Sequence, residues 1–411
     1  MRKTLFAVFV AAVLCISPAL ASAQDFWATS RTYLQLRESV SDKDLAPAFE
    51  YLDLNATDLW GRDISFHAGG WVRLDLADRS GEDDLNQDLS YAYLSYRVTP
   101  AVLVKGGRVL VFEGVASEIV DGGYAAVAMP AGFRLAVYSG VPVETDDDGR
   151  EGDVIYGARV SHQREGLYTI GLSYLKEDND SGNFREEEGI DLLVTPADWL
   201  QVTGRSTYNS ESDGGWMEHT YRVDAGPFSK VSVGGTFSHI DYEHYFFNPT
   251  VSAFAFPQIN PEETMDMYGV HAAYKYSYSL TASAEYKRYE YDIMGGANNF
   301  GGAVDYFASP YRAGASVHRM DGDTDELRYN QYRVYAQRTL GAADMTVDFF
   351  DVQYDEKRND IEHALALVGA LGYNFTKRAR GGVDLEYARN PFFDNELKVF
   401  LKFIYRWGKQ V

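Results

Sequence analysis

The chain has 411 residues, a formal charge of −22 and a single cysteine, with aromatic side chains at 14%, 30 of them Tyr, and 37 Gly. Such acidity leaves no basic face for phosphate, so nucleic acid is excluded as a partner. No run of 18 apolar residues follows the first segment, so no transmembrane helix is available.

Chain order begins with an export signal. Arg2 and Lys3 precede the apolar run Leu5 to Ile16, and Ala21-Ser22-Ala23 stands ahead of Gln24. These are the three parts of a secretory leader, which predicts cleavage after Ala23 and a mature segment 24–411. Losing Arg2 and Lys3 takes the charge from −22 to −24. Cys15 leaves with the leader, and Val13-Leu14 before it are not the small residues of a lipidation site. Without a thiol the mature chain can hold no disulfide, iron-sulfur cluster, cysteine-bound zinc or thioether-linked haem, and no cofactor or metal is expected.

Strand character starts at Phe26 to Arg37, which leaves no room for a plug domain ahead of it. From Asp63 to Leu76 the alternation is cleanest: Ile64, Phe66, Ala68, Val72 and Leu74 on one face, Asp63, His67, Arg73 and Asp75 on the other. Fourteen such residues span about 46 Å, enough for a tilted strand to cross a bilayer and rise above it. Alternation returns at Leu280–Lys287 and Arg378–Tyr387, and in the last strand Leu397, Val399, Leu401, Phe403, Tyr405 and Trp407 oppose Lys398, Lys402 and Arg406. The residues after Trp407 depart from the aromatic ending usual for barrels.

Short turns alternate with longer acidic loops along the chain. The loops include Phe112 to Asp121, Glu177 to Glu188, Asp241 to Glu263, Asp355 to Asp360 and Asn390 to Asn395. Ten turns and eleven loops predict an all-β fold, a transmembrane antiparallel β-barrel of about 22 strands (20 to 24) with both termini periplasmic and no plug. No linker divides it, so 24–411 is one domain. Twenty-two strands close into a barrel roughly 40 to 45 Å across, too wide for wall side chains to fill.

With apolar residues against lipid, the lumen wall receives Arg73, Arg97, Arg134, Arg159, Arg205, Arg312, Arg380, Lys398, Lys402 and Arg406, a basic-leaning lining suited to a hydrated pathway or to an acidic partner. In the longest loop Tyr242, Tyr245, Phe246, Phe247, Phe254 and Phe256 are dense enough to constrict the lumen or dock a partner. The acidic run Asp321-Gly322-Asp323-Thr324-Asp325 begins like a calcium loop, but Glu326 replaces its glycine and Tyr332 its final carboxylate. Solvated loops meeting lipopolysaccharide are the simpler reading. The nearest approaches to a hydrolytic set, Ser238-His239 and His67 beside Asp63 and Ser65, bring no three groups together, so no enzyme is expected.

The whole mature segment resembles outer-membrane porins. The segments Glu113 to Glu118, Gly204 to Asn209 and Trp216 to Arg222, with the 241–263 loop, also resemble the barrel component of porin-cytochrome electron conduits. The first resemblance implies an outer-membrane channel. The second implies a sheath around a multihaem c-type cytochrome, the barrel itself carrying no haem.

Overall fold

A computed structural model describes residues 25–38, 44–77, 85–143, 153–179, 182–211, 214–245, 262–391 and 393–408. The expected leader and its cleavage site lie outside these residues.

Long alternating segments form long strands. In chain order they are β1 Asp25–Glu38, β2 Pro47–Thr57, β3 Ile64–Asp75, β4 Asn86–Thr99, β5 Val102–Glu113, β6 Ala116–Ala128, β7 Phe133–Pro142 and β8 Val154–Arg164. Next come β9 Tyr168–Asn179, β10 Gly182–Ala197, β11 Leu200–Asn209, β12 Trp216–Phe228 and β13 Val231–Asp241. After the one-turn helix α1 Tyr242–Tyr245 follow β14 Thr264–Lys275, β15 Leu280–Tyr291, β16 Gly295–Ala308 and β17 Tyr311–Gly322. The last are β18 Tyr329–Leu340, β19 Ala343–Arg358, β20 Ile361–Asn374, β21 Ala379–Asn390 and β22 Phe393–Gly408. Asp44–Leu45 extends the first hairpin by pairing with Arg37 and Glu38.

Each strand pairs antiparallel with the next, and β22 returns to β1 in register from Trp27 opposite Gly408 to Leu36 opposite Val399. The sheet is therefore a closed 22-stranded antiparallel barrel. Closure removes both sheet edges, so every strand has a backbone partner on each side.

Residues directly opposite across a ladder share a face, and the faces differ in chemistry. One carries exposed apolar side chains, among them Leu94, Tyr96, Val137, Val270, Val334, Leu385 and Leu401. The other carries ion pairs, such as Arg31 with Asp53 and Arg333 with Asp348. Apolar exposure on this scale is disfavoured in water and favoured in hydrocarbon, which puts the paired charges on the lumen side.

Several expected loops are strand instead. Glu177 to Glu188 is mostly β9 and β10, Asp355 to Asp360 is largely β19, and Asn390 to Asn395 belongs in part to β21 and β22. Acidic composition signals a solvated backbone, and a hairpin rising into water satisfies it as well as a loop does.

Candidate functional site: a lumen narrowed by an in-folded hairpin

The largest departure from expectation is at Phe112 to Asp121. There is no loop: β5 runs to Glu113, Gly114-Val115 turns the chain, and β6 departs from Ala116. The upper half of this hairpin folds into the lumen. Gly106 faces Gly123 and Gly107 faces Gly122, four glycines at one level, and Gly107 has φ +123. Without Cβ atoms the backbone can take the sharp bend there.

Two contacts establish the bend. Lys105 pairs with Tyr124, so Glu113, eight residues on, would stand about 26 Å further up a straight strand. Yet the Tyr124 hydroxyl donates to Glu113 Oε1 at 2.6 Å. At the tip, the Val115 N–H donates to Ser173 Oγ on β9 at 3.1 Å, several strands away around the wall.

Packing and charge hold this tongue down. Val109, Val111 and Val120 on its wall-facing side meet Ile155 and Leu175, all no more than 1% exposed, with Ala136 and Tyr138 beside them. Burying each valine or leucine contributes about 1.5–3 kcal/mol. Arg134 donates to both Glu113 oxygens at 2.9 and 2.6 Å, and Arg159 lies 3.8 Å from the same carboxylate. Arg185 on β10 reaches Glu118 on the tongue at 2.6 Å and also pairs with Glu187. With Val111 and Glu113 against the wall, Phe112 turns to the lumen and is 71% exposed.

The sequence-predicted basic residues have these surroundings. Arg97 meets Asp63 at 3.4 Å, Arg159 meets Asp191 at 2.6 Å, Arg205 meets Glu218 at 2.6 Å and Arg380 meets Asp344 at 2.6 Å. Lys398 lies between Glu386 and Glu396, and Lys402 pairs with Asp384. Arg73 stands over the Phe49 ring at 5.8 Å, Arg312 over Tyr335 at 5.7 Å, and Arg406 lies opposite Thr29. Register brings the acids Asp53, Asp191 and Asp344 onto this face and the folded tongue brings Glu113, so much of its positive charge is locally compensated.

Only part of the expected aromatic constriction can be placed. Tyr242 and Tyr245 form α1, and the Tyr242 N–H donates to the Glu263 carbonyl at 3.0 Å. Burial, with the Glu263 charge nearby, pushes the Tyr242 phenol above its ordinary value. Phe246, Phe247, Phe254 and Phe256 lie outside the described residues. Sequence reading missed the tongue. Its signals were the Gly-Gly pairs at 106–107 and 122–123 and the apolar residues Val109, Val111 and Val120 on what should be a polar face.

The three segments that resemble a conduit barrel lie close together. Glu113 to Glu118 is the tongue tip, whose Val115 side chain crowds Gly189 on β10; Gly189 pairs with Thr207 on β11, which pairs with Glu218 on β12. The hydrolytic candidates are not assembled. Ser238 faces Thr220 at 3.1 Å, while His239, on the opposite face, meets Asp266 at 2.8 Å.

A closed barrel with an apolar outer face, ion pairs inside and a hairpin folded into its lumen has the fold of an outer-membrane porin-like β-barrel. Among solved structures, the siderophore receptor PirA from Acinetobacter baumannii is similar over 93% of this chain and 80% of its own, with TM-score 0.61 and 10% identity. PirA from Pseudomonas aeruginosa gives 0.59 and 11% over 92% and 80%, and a mutant of the ferric enterobactin receptor PfeA from P. aeruginosa gives 0.60 and 9% over 93% and 80%. Neither a protein-family model nor a curated sequence matches the chain. At such identities the likeness is one of fold.

Proposed function

We propose that the chain resides in a bacterial outer membrane, exported by its 1–23 leader, and provides a porin-like passage through its lumen. The carrying observation is the tongue: an ordered hairpin packed on one side of a wide wall narrows a lumen and leaves polar wall opposite it. Lipid and lipopolysaccharide contact the apolar outer face, short turns lie in the periplasm with both termini, and the chain carries no catalytic role. In planar bilayers the purified barrel is expected to give discrete open-channel steps. Absence of conductance from correctly folded barrel would sink this reading.

The clustering of the three conduit-like segments supports a second reading, a sheath for a multihaem c-type cytochrome. Isolation of the barrel from native membranes followed by haem staining separates the two. A stoichiometric haem protein supports the sheath, and a colourless conducting barrel supports the channel.

A further inference from the structure

Away from the tongue, the lumen wall carries a strip of aromatic side chains across β22, β1, β2 and β3. Register puts Lys402, Tyr33, Phe49 and Arg73 in one row of four strands, all on the lumen side. In the next row Arg31 lies opposite Tyr51, and Tyr51 opposite Trp71. The Tyr33 and Tyr51 rings are 5.7 Å apart, Phe49 and Tyr51 6.1 Å, and Tyr33 and Phe400 5.4 Å with planes 13° apart. All four are half-buried, so each keeps part of its surface toward the lumen. Two rows below, Trp27 and Asn55 lie opposite each other, with His67 and Tyr93 next along the same row. From Trp27 to the level of Phe400 the strip rises about 26 Å, eight residues of strand.

Fixed polar groups edge these rings. Arg31 is paired with Asp53, which also accepts from the Tyr91 hydroxyl at 2.8 Å, and Lys402 is paired with Asp384 while standing 5.3 Å from the Phe400 ring. Arg31 and Lys402 each have their own carboxylate and Arg73 stands over the Phe49 ring, so the strip selects weakly by net charge. What it offers repeatedly is an apolar ring face beside oriented donors and acceptors. A ligand matching that pattern is uncharged, extended, and built of units with C–H faces and hydroxyl edges.

We propose that this strip is a binding track for neutral oligosaccharides, resting on the channel reading and naming the solute class that reading leaves open. Ring faces stack on the sugar faces, and Asp53, Arg31 and Asp384 exchange hydrogen bonds with hydroxyls.

The test uses the full mature barrel in detergent, with maltohexaose as probe and intrinsic Trp fluorescence as readout, alongside bilayer conductance. Saturable binding is expected. Tyr33→Ala with Tyr51→Ala should weaken it at least about tenfold, equivalent to about 1.4 kcal/mol, while Tyr33→Phe with Tyr51→Phe, which keeps the ring faces, should bind within a few-fold of native. Folding of each variant is checked by heat-modifiable gel migration. No binding by folded native barrel, unchanged binding by the alanine pair, or stronger binding of benzoate than of the glycan overturns the proposal. A barrel that conducts but does not bind loses the track alone; one that binds but does not conduct loses the channel reading alone.

Discussion

At the residue scale, Glu113 concentrates the electrostatics of the tongue. Its carboxylate is 7% exposed and takes hydrogen bonds from Tyr124 and Arg134, with Arg159 nearby. Removing one member of a buried ion pair leaves its partners uncompensated, a loss of several kcal/mol in a dry site. Arg134 is partly open to the lumen, so Glu113→Gln should cost on the order of 2 kcal/mol. The folded band in semi-native gels should then be lost at a lower temperature, and single-channel traces should become noisier with larger steps as the tongue lifts. Unchanged conductance would separate Glu113 from any part in holding the constriction. The pairing was not legible beforehand. Glu113 falls inside the expected Phe112 to Asp121 loop, because charge in a linear string does not disclose which strand it folds back onto.

At the element scale, the glycine block decides whether β5 and β6 stand up or fold in. Gly107 has a left-handed φ, and a Cβ there would run into the Ala92 carbonyl. Gly107→Val should strain the bend by about 1–3 kcal/mol and enlarge open-channel conductance. Gly106→Ala, where a Cβ meets open space, should leave it as in the native barrel. A pair of bilayer recordings distinguishes them, and equal effects would place the bend elsewhere. The element was half-legible. Period-two alternation through Val109 and Val111 and again at Val120 and Gly122 is a strand signal, whereas the acidic and glycine-rich flanks have the composition of a loop. The apolar residues on its polar face were the clue that it packs on something. Strand ends elsewhere erred the same way, since hairpins protruding into water carry loop-like composition.

At the scale of the whole molecule, strand number and closure were the most legible features. Aliphatic and aromatic residues such as Leu397, Val399, Leu401 and Phe403 must all face one way, and a one-residue slip would reverse them, so pattern fixes register as well as type. Alternating turn types then count the strands. Closure predicts that ending the chain at Asn390, without β22, exposes both β1 and β21 and abolishes the protease-resistant folded form. Removing 409–411 should not, because Gly408, opposite Trp27, is the last residue in the closing ladder. Protease digestion of outer-membrane fractions compares the two truncations. The lumen charges were legible by face but not by partner: Arg159 and Asp191 are 32 residues apart, and only the ladder brings them to 2.6 Å.

In most barrels the bore follows from how many strands surround it. Here one bent hairpin, anchored along β7 to β10, takes up part of the cross-section on that side of the wall. Calibre is thereby uncoupled from circumference: lengthening, shortening or releasing a single hairpin would change what fits through while all 22 strands, their tilt and their closure stay the same.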